Sequence, residues 1–283
     1  MKNQLGKTLV TMLALAFGIT CTQSSHAQSF KKVKVAGNAP IVQVASGGVS
    51  VWALASNGHP YIFKGKSFAL ANSISLSQIV VGGGNAAQPD EVWALNSSGS
   101  IYRASKSGST WSFTQVAGFL DGIVVGPGYQ DGCHPYEVWG LNPSAQIYRY
   151  NYCSSGFDQV PGILCDIHVG GGDVWGAQCS PTAYRFDFAS GVFVEHDHGA
   201  FTGFPALTVG PNGDVWAFDT NDLVIFSYDL FSDRFTGRWQ GYSQIHAGGD
   251  GIWAIEESMS TVWGPRQRPL PLCRFQARSF RLA

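Results

Sequence analysis

The sequence is poor in charged residues and in long apolar segments. Asp, Glu, Lys and Arg make up 13% of its 283 residues, whereas glycine occurs 35 times. This composition, with a hydrophobic content of 45%, is typical of a turn-rich β protein with short strands and not of a helical one. Beyond the N-terminal region no segment is apolar for long enough to span a membrane. We therefore expect an all-β protein without a membrane span.

Motifs of several enzyme classes are missing as well. The sequence has no G-x-S-x-G, zinc-helix or phosphate-loop motif. Residues 105–111, SKSGSTW, resemble the Asp-box turn of sialidases but lack its Asp, and the adjacent Glu256 and Glu257 are two among 19 acids. We expect no catalytic residue, no metal and no cofactor.

The N-terminus has the pattern of a secretory signal peptide. Lys2 and Lys7 flank its start, an apolar stretch covers residues 9–19, and Ala27 provides a small residue for cleavage. We expect residues 1–27 to be removed and the remaining chain to be secreted, periplasmic or extracellular. Without the two lysines the chain carries 16 basic and 19 acidic residues, a net charge of −3 that does not indicate nucleic-acid binding. Its last segment, 265–283, is a basic tail with five arginines and no acid.

A repeat of about 40 residues organises the rest of the chain. In each unit an apolar run leads into glycines, then a Val/Ile-Trp pair, a turn rich in Asn, Ser, Gly or Pro, and an aromatic segment. A fourth apolar segment such as WSFTQVAG, residues 111–118, usually follows. The tryptophans that mark the repeat are Trp52, Trp93, Trp139, Trp175, Trp216 and Trp253.

Four short strands in each unit predict the blade of a β-propeller. Six units predict a six-bladed β-propeller of four-stranded antiparallel blades over residues 28–264. The N-terminal segment, 29–37, matches the fourth strand of the other units, and the sixth unit lacks a good fourth strand after residue 264. We therefore expect the N-terminal strand to complete the sixth blade and remove an open sheet edge.

The repeat resembles a known family. The phrasing VGGG…EVWALNSSGSIYR…WSFTQVAG is similar to the tectonin repeat, and the resemblance spans about 29–264 and is strongest in the second and third units. It implies a six-bladed propeller of the kind found in secreted or surface lectins and innate-immunity proteins. The implied function is binding of glycans on a surface through several weak sites. A protein-interaction platform without glycan binding is the alternative, followed by a glycosidase or lyase.

Three groups of residues are candidates for function. The tryptophan column recurs in every unit, which indicates a core position more than a ligand contact. The resemblance places sugar contacts at the bases that follow the third-strand aromatic and at the polar turns, whereas the simpler interpretation pairs these bases with nearby acids. Exposed aromatics could stack on sugar rings, although most should be packed. The candidate ligand-binding residues are Lys64, Asn96, Arg103, Trp111, Tyr129, Asn142, Arg149 and Arg185.

Histidines and cysteines complete the sequence features. His196 and His198 lie two residues apart, as a metal pair would, but an outer strand, where polar residues are expected, is the favoured explanation because no other short His/Asp/Glu cluster supports a metal. Five cysteines follow the signal peptide, and four of them cluster, so that three pairings are open. Hairpin register favours Cys133–Cys153 and Cys165–Cys179, each after a small irregularity, and leaves Cys273 over. We leave the sugar, the oligomeric state and the role of the tail open.

Overall fold

The computed structural model describes residues 33–83, 88–128, 132–196, 198–240, 242–248 and 251–256. For the last two ranges it describes the backbone and, of the side chains, only that of Ile245. Over these residues the protein is all-β, as predicted, with one three-residue 3-10 turn at Ala36–Asn38. The predicted signal peptide and the basic tail lie outside the described residues.

The first sheet contains the expected hairpins and one additional strand. Its strand order is β1-β5-β4-β3-β2, and β1 pairs with β5 in parallel. The other pairs are antiparallel. The strands are β1 (Lys34–Val35), β2 (Ile41–Ser46), β3 (Val51–Ala55), β4 (Pro60–Phe63) and β5 (Ser67–Leu70).

The second and third sheets are four-stranded antiparallel meanders with their strands in chain order. These are the units that match the repeat best, and in each the fourth strand is the longest. The second sheet contains β6 (Gln78–Gly82), β7 (Glu91–Leu95), β8 (Ser100–Ser107) and β9 (Thr110–Phe119). The third contains β10 (Gly122–Pro127), β11 (Tyr136–Leu141), β12 (Gln146–Asn151) and β13 (Gly156–Ile163).

The fourth and fifth sheets repeat this order, and two strands of a sixth follow. The fourth contains β14 (Asp166–Gly170), β15 (Asp173–Ala177), β16 (Ala183–Asp187) and β17 (Val192–Glu195). The fifth contains β18 (Pro205–Val209), β19 (Val215–Asp219), β20 (Val224–Asp229) and β21 (Arg234–Gln240). The sixth contains β22 (Tyr242–Gly248) and β23 (Gly251–Glu256).

Consecutive sheets pack face to face, as blades of a β-propeller do. The first strand of each meander contacts the first strand of the next, from β2 through β6, β10, β14 and β18 to β22. The second strand is apolar on both faces because it lies between two neighbouring sheets; in β7 every residue is buried. A sheet wedged in this way cannot use the alternating pattern of a half-solvated strand.

The N-terminal strand does not take the position predicted for it. Lys34 and Val35 pair with Ser67 and Phe68 of the first sheet, and not with the sixth. Val35 packs with Phe68 against a small apolar cluster that includes Tyr61. The prediction that this segment completes the sixth blade is therefore corrected for Lys34–Val35, which pairs with the outer strand of the first sheet and packs on its apolar side chains.

Two disulfides lie beside the inner hairpins of the third and fourth sheets. Cys133 is bonded to Cys153, with the Cα atoms 5.1 Å apart, and Cys165 is bonded to Cys179, with the Cα atoms 5.3 Å apart. Val169 pairs with Val174, the register from which the second bridge was predicted. Both predicted pairings are confirmed, and Cys273 lies outside the described residues. Disulfides are typical of extracellular or otherwise oxidising environments.

Candidate functional site

The tryptophan column forms the core between sheets. Trp52, Trp93, Trp139 and Trp175 are completely buried. Each packs edge-on against aromatic side chains of the last two strands of the following sheet or, for Trp52, of its last strand alone. The core interpretation of these four is confirmed. Trp216 is only partly buried and stacks on Trp239, and the side chain of Trp253 is outside the described part of the chain.

Three third-strand arginines bind a carboxylate that lies two residues before the tryptophan. Arg103 Nε donates to Glu91 Oε1 at 2.6 Å. Arg149 Nη2 donates to Glu137 Oε1 at 2.6 Å, and Arg185 Nε donates to Asp173 Oδ1 at 2.9 Å. The acid and the arginine are always twelve residues apart because the hairpin between them has the same register.

The same carboxylates also hold the tryptophan side chains. Trp93 Nε1 donates to Glu91 Oε1 at 3.0 Å, and Trp139 Nε1 donates to Glu137 Oε2 at 2.7 Å. Trp175 Nε1, in contrast, is buried without a hydrogen-bond partner among the described residues. The reason is that the fourth sheet has Asp173 in place of glutamate, and its side chain is one methylene shorter. These triads of acid, tryptophan and arginine are structural.

Aromatic rings of the next sheet cover the arginines. The Arg149 guanidinium lies 5.3 Å from the Phe188 ring centre and 5.4 Å from that of Trp139. Its side chain is 13% exposed, whereas that of Arg103 is 39% exposed. Partial burial alone would lower the pKa of Arg103, but its hydrogen bond and charge interaction with Glu91 raise that pKa above its ordinary value. All three arginines are thus paired with acids, as the simpler interpretation of the sequence predicts.

Lys64 does not belong to this column. Register places Ile62 opposite Trp52, where Arg103 lies opposite Trp93. Lys64 is two residues further along, exposed in the turn before β5. In the first sheet Ser50 has the place of the acid, and Asp90 from the following unit accepts hydrogen bonds from Ser50 N and Oγ. The alignment of Lys64 with the arginines was therefore wrong by two residues.

The predicted turn asparagines shape the turns that contain them. Asn96 Oδ1 accepts hydrogen bonds from the backbone N–H of Ser98 at 3.1 Å and of Ser100 at 2.9 Å. Asn142 Oδ1 does the same for Ser144 and Gln146. Such side-chain turns explain the preference for asparagine at this position. They also present the rest of each turn, including several hydroxyl groups, to solvent.

Among the aromatics outside the tryptophan column, Trp111 and Tyr136 are packed. Trp111 lies edge-on against Trp52, with ring centres 4.7 Å apart. Tyr136 is buried and donates to the Pro89 carbonyl at 2.8 Å. Trp239 is 49% exposed, whereas Tyr129 lies outside the described residues. Trp111 is therefore a contact between the first two sheets, and sugar stacking on it stays a prediction.

Two exposed apolar residues that the sequence interpretation missed lie beside the asparagine turns. Phe119 is 52% exposed and Ile163 is 57% exposed. They pair with Ser100 and Gln146, the residues that close the two turns. A bulge precedes each of them and contains a glycine with positive φ, Gly118 at 124° and Gly162 at 116°. The matching segments VAGFL (116–120) and VPGIL (160–164) were the available signal.

A cleft of about 350 Å³ opens beside the Asn142 turn. It lies between the first strands of the second, third and fourth sheets. Of the predicted ligand-binding residues that the structure describes, Asn142 alone lines it. Other lining residues are Gln78, Asp121, Gly122, Cys165 and Asp166.

The two histidines contact the neighbouring sheet. His196 Nδ1 and Asp233 Oδ1 are 2.5 Å apart, and His198 Nε2 and Asp233 Oδ2 are 3.4 Å apart. Tyr228 also donates to Asp233, and the hydrogen bonds from Tyr228 and His196 lower the pKa of Asp233 to about 2. Within the described part of the chain no three His, Cys, Asp or Glu side chains are arranged to hold a metal. The cluster ties the fourth sheet to the fifth.

Comparison with solved structures shows the fold. The human WBSCR16 crystal structure has a TM-score of 0.56 at 10% identity, covering 77% of this chain and 72% of that one. A virginiamycin B lyase from Staphylococcus aureus has a TM-score of 0.55 at 16% identity, covering 77% of each. YCF48 bound to D1 peptide has a TM-score of 0.50 at 11% identity, covering 73% and 72%. Identities this low establish the architecture alone.

Sequence comparison identifies the family. No curated protein matches the chain. No helix among the described residues is both long and apolar enough to cross a bilayer. The model of the tectonin domain, however, matches residues 20–199, which is more than half of the chain and includes the Trp52 to Trp175 units. The protein therefore belongs to the tectonin domain family.

Proposed function

We propose that this protein is a secreted, lectin-like protein that binds glycans through several weak sites on a β-propeller. The observation that carries the proposal is the pairing of an exposed apolar side chain with a polar turn in the second and third sheets. The Phe119 ring covers Gly99, since a Cβ atom at Gly99 would be 2.4 Å from Phe119 Cε2. Gly99 lies in the turn that Asn96 closes, among the hydroxyl groups of Ser98 and Ser100.

This arrangement matches the two kinds of surface on a sugar. A sugar ring presents C–H groups on its faces and hydroxyl groups around its edge, so that it is recognised by an apolar platform next to hydrogen-bonding groups. Apolar surface rimmed by polar groups is a feature of ligand-binding grooves. Because water competes for every hydrogen bond at an exposed site, each contact contributes little on its own. Retention on a glycan-coated surface would then depend on several sites acting together.

The third-strand arginines have a smaller part in the proposal than the sequence indicated. Arg103, Arg149 and Arg185 are engaged by carboxylates, so a sugar would compete with a formed ion pair. Sugar contact by these arginines stays a prediction. A sugar that bound at the exposed side chains of Phe119 and Ile163 would not have to displace an ion pair.

A glycan array probed with the chain from residue 28 onward tests the function. We expect binding to a subset of immobilised glycans, with dissociation from the surface at least tenfold slower than from a soluble monovalent sugar. Phe119→Ala should reduce retention on the array without lowering the melting temperature. Phe231→Ala is the matched control, because Phe231 is an exposed phenylalanine at the outer turn between β20 and β21.

Failure of the array would favour a different class of function. A well-folded protein that bound no glycan would support a protein-interaction platform, for which the same exposed residues would serve. Unchanged retention of the Phe119→Ala variant would place the sugar sites elsewhere on the propeller. Turnover of an array glycan would overturn the proposal that the protein binds without catalysis. N-terminal sequencing of the exported protein tests secretion, with Gln28 as the expected first residue.

A further inference from the structure

One side-chain position joins the first three sheets to one another. In each sheet it is the first-strand residue that pairs with the second-strand residue two positions after the tryptophan. In the second sheet this residue is Gln78, which pairs with Leu95. The Gln43 amide donates to the Ile79 carbonyl and accepts from the Ile79 N–H, both at 3.0 Å. Gln78 bridges to Ile123 of the third sheet in the same way, at 3.3 and 3.2 Å. By register the column is Gln43, Gln78, Gly122, Asp166, Ala206 and Gln244.

The third sheet has glycine where the bridging glutamine belongs. Its first strand pairs Gly122 with Leu141, and a Cβ atom at Gly122 would have no atom within 4 Å. The amide that would reach Ile167 of the fourth sheet is therefore missing, and the cleft occupies its place. The Ile167 N–H has another acceptor, Asp166 Oδ1, at 3.0 Å. The Ile79 and Ile123 carbonyls each accept a hydrogen bond from a glutamine amide of the preceding sheet. The Ile167 carbonyl does not receive one from a glutamine, because Gly122 has no side chain.

The cleft consequently offers acceptors. Asp121 and Asp166 bring two carboxylates to its lining; the Asp121 side chain is exposed, whereas Asp166 Oδ2 lies 2.9 Å from His168 Nε2, which is outside the lining. Its residues, all of them described, include no Lys, Arg or His. Its walls are apolar, with Leu141, Leu164 and Ile167. Its volume lies at the lower end of the range for small-molecule sites.

We propose that this cleft is a subsite for an amino sugar with a free ammonium group. The proposal rests on the glycan-binding function proposed above and specifies one sugar class for one site. The ammonium supplies the donors that the missing glutamine amide would have supplied, and hydrogen bonds between an ammonium and a carboxylate are about twice as strong as neutral ones. The apolar walls accept the C–H face of the ring. An acidic sugar is disfavoured because its carboxylate would meet that of Asp121.

Chitotriose in its deacetylated and fully N-acetylated forms provides matched probes for titration calorimetry. The measurement uses the chain from residue 28 onward at about pH 6, where the amines are protonated. We expect the deacetylated trisaccharide to bind at least tenfold tighter than the acetylated one. This preference should fall at least tenfold in Asp121→Asn, whose exposed side chain has no hydrogen-bond partner among the described residues.

A second variant tests the cleft directly. Gly122→Gln restores the missing side chain and should abolish binding of the deacetylated trisaccharide. Ala206→Gln is its matched control, because it introduces the same residue at the same register position of the fifth sheet. Equal binding by wild type and Gly122→Gln, or equal affinity for the two trisaccharides, would overturn the proposal. If neutral glycans bind the array while the deacetylated trisaccharide does not, this inference fails alone; if no glycan binds, the proposed function fails with it.

Discussion

The residue two positions before each buried tryptophan determines whether the indole N–H has a hydrogen-bond partner. In the second and third sheets a glutamate reaches both the indole N–H and the arginine. In the fourth sheet Asp173 binds Arg185 but leaves Trp175 Nε1 unpaired among the described residues. A buried donor without a partner costs about 1–3 kcal/mol. The repeat therefore allows a direct comparison between glutamate, which reaches the indole N–H, and aspartate, which does not.

Lengthening that acid should stabilise the protein. We expect Asp173→Glu to raise the free energy of unfolding by about 1 kcal/mol, because the added methylene brings a carboxylate oxygen to the Trp175 indole. The reverse change, Glu137→Asp, should lower it by a similar or larger amount. Urea unfolding of both variants measures the difference. A loss of stability in Asp173→Glu would show that the surroundings of Trp175 cannot accommodate the longer side chain.

Asp219 should make stability depend on acid. Burial alone would raise its pKa, but the backbone N–H groups of Thr202, Gly203, Asn221 and Asp222 donate to its carboxylate and lower the pKa below the ordinary value. Its contribution is therefore complete above the unfolded-state pKa of about 3.9 and is lost as pH falls through the lower folded-state pKa. We expect Asp219→Asn to cost about 2 kcal/mol at pH 7. In urea unfolding this cost should shrink below about pH 4; a constant cost would contradict the assignment.

The turns between the second and third strands show how one element tolerates different residues. Gly99 and Ala145 occupy equivalent places, and both have positive φ, 78° and 61°. At Gly99 a Cβ atom would lie 2.8 Å from the Leu120 carbonyl oxygen and closer still to the Phe119 ring. Glycine is therefore required at position 99 for two reasons, the positive φ and the lack of space for a Cβ atom. At position 145 alanine fits, and only its left-handed backbone conformation is unfavourable.

Exchanging the two residues should have opposite effects. Ala145→Gly should stabilise the protein by roughly 0.5–1 kcal/mol, since relief of left-handed strain exceeds the entropy lost by glycine. Gly99→Ala should destabilise it by at least about 2 kcal/mol and displace Phe119. Thermal unfolding of both variants provides the test. Equal effects at the two positions would contradict the steric role assigned to Phe119.

The sequence predicted those elements whose signal repeats. The tryptophan spacing fixed the sheets, and hairpin register fixed both disulfides, because each depends on residues close along the chain. The position of Lys34–Val35 could not be predicted, since the competing partners are different sheet edges and only packing decides between them. Lys64 was misaligned because the third strand of the first sheet has two aromatics, Tyr61 and Phe63. The exposure of Phe119 depends on a bulge, which interrupts the period used to assign strands.

Closure of the ring is testable from the first sheet. Val44 occupies the position of Ile79, Ile123, Ile167 and Leu207, all of which are buried against the preceding sheet, but it is 61% exposed. Closure by the sixth sheet, which stays a prediction, would cover it. We then expect Val44→Lys to lower the free energy of unfolding by more than about 2 kcal/mol. Val194→Lys, an exposed control in β17, should change it by less than about 0.5 kcal/mol. Equal effects would mean that no sheet covers Val44.

The direction in which the tryptophans point has a consequence for assembly. Each of the four buried indoles packs against aromatic side chains of the next sheet, so the contact between sheets is heterologous. The sheet that contributes the tryptophan presents the donor side of the contact, and the next sheet presents the acceptor side. Repeated contacts of this kind either close on themselves or continue without limit. A truncated chain with fewer sheets would keep the acceptor side of the first sheet and the donor side of the last, both unpaired. We expect such a fragment to assemble end to end into filaments, and we expect the predicted closure of the ring to leave the intact chain with no unpaired side.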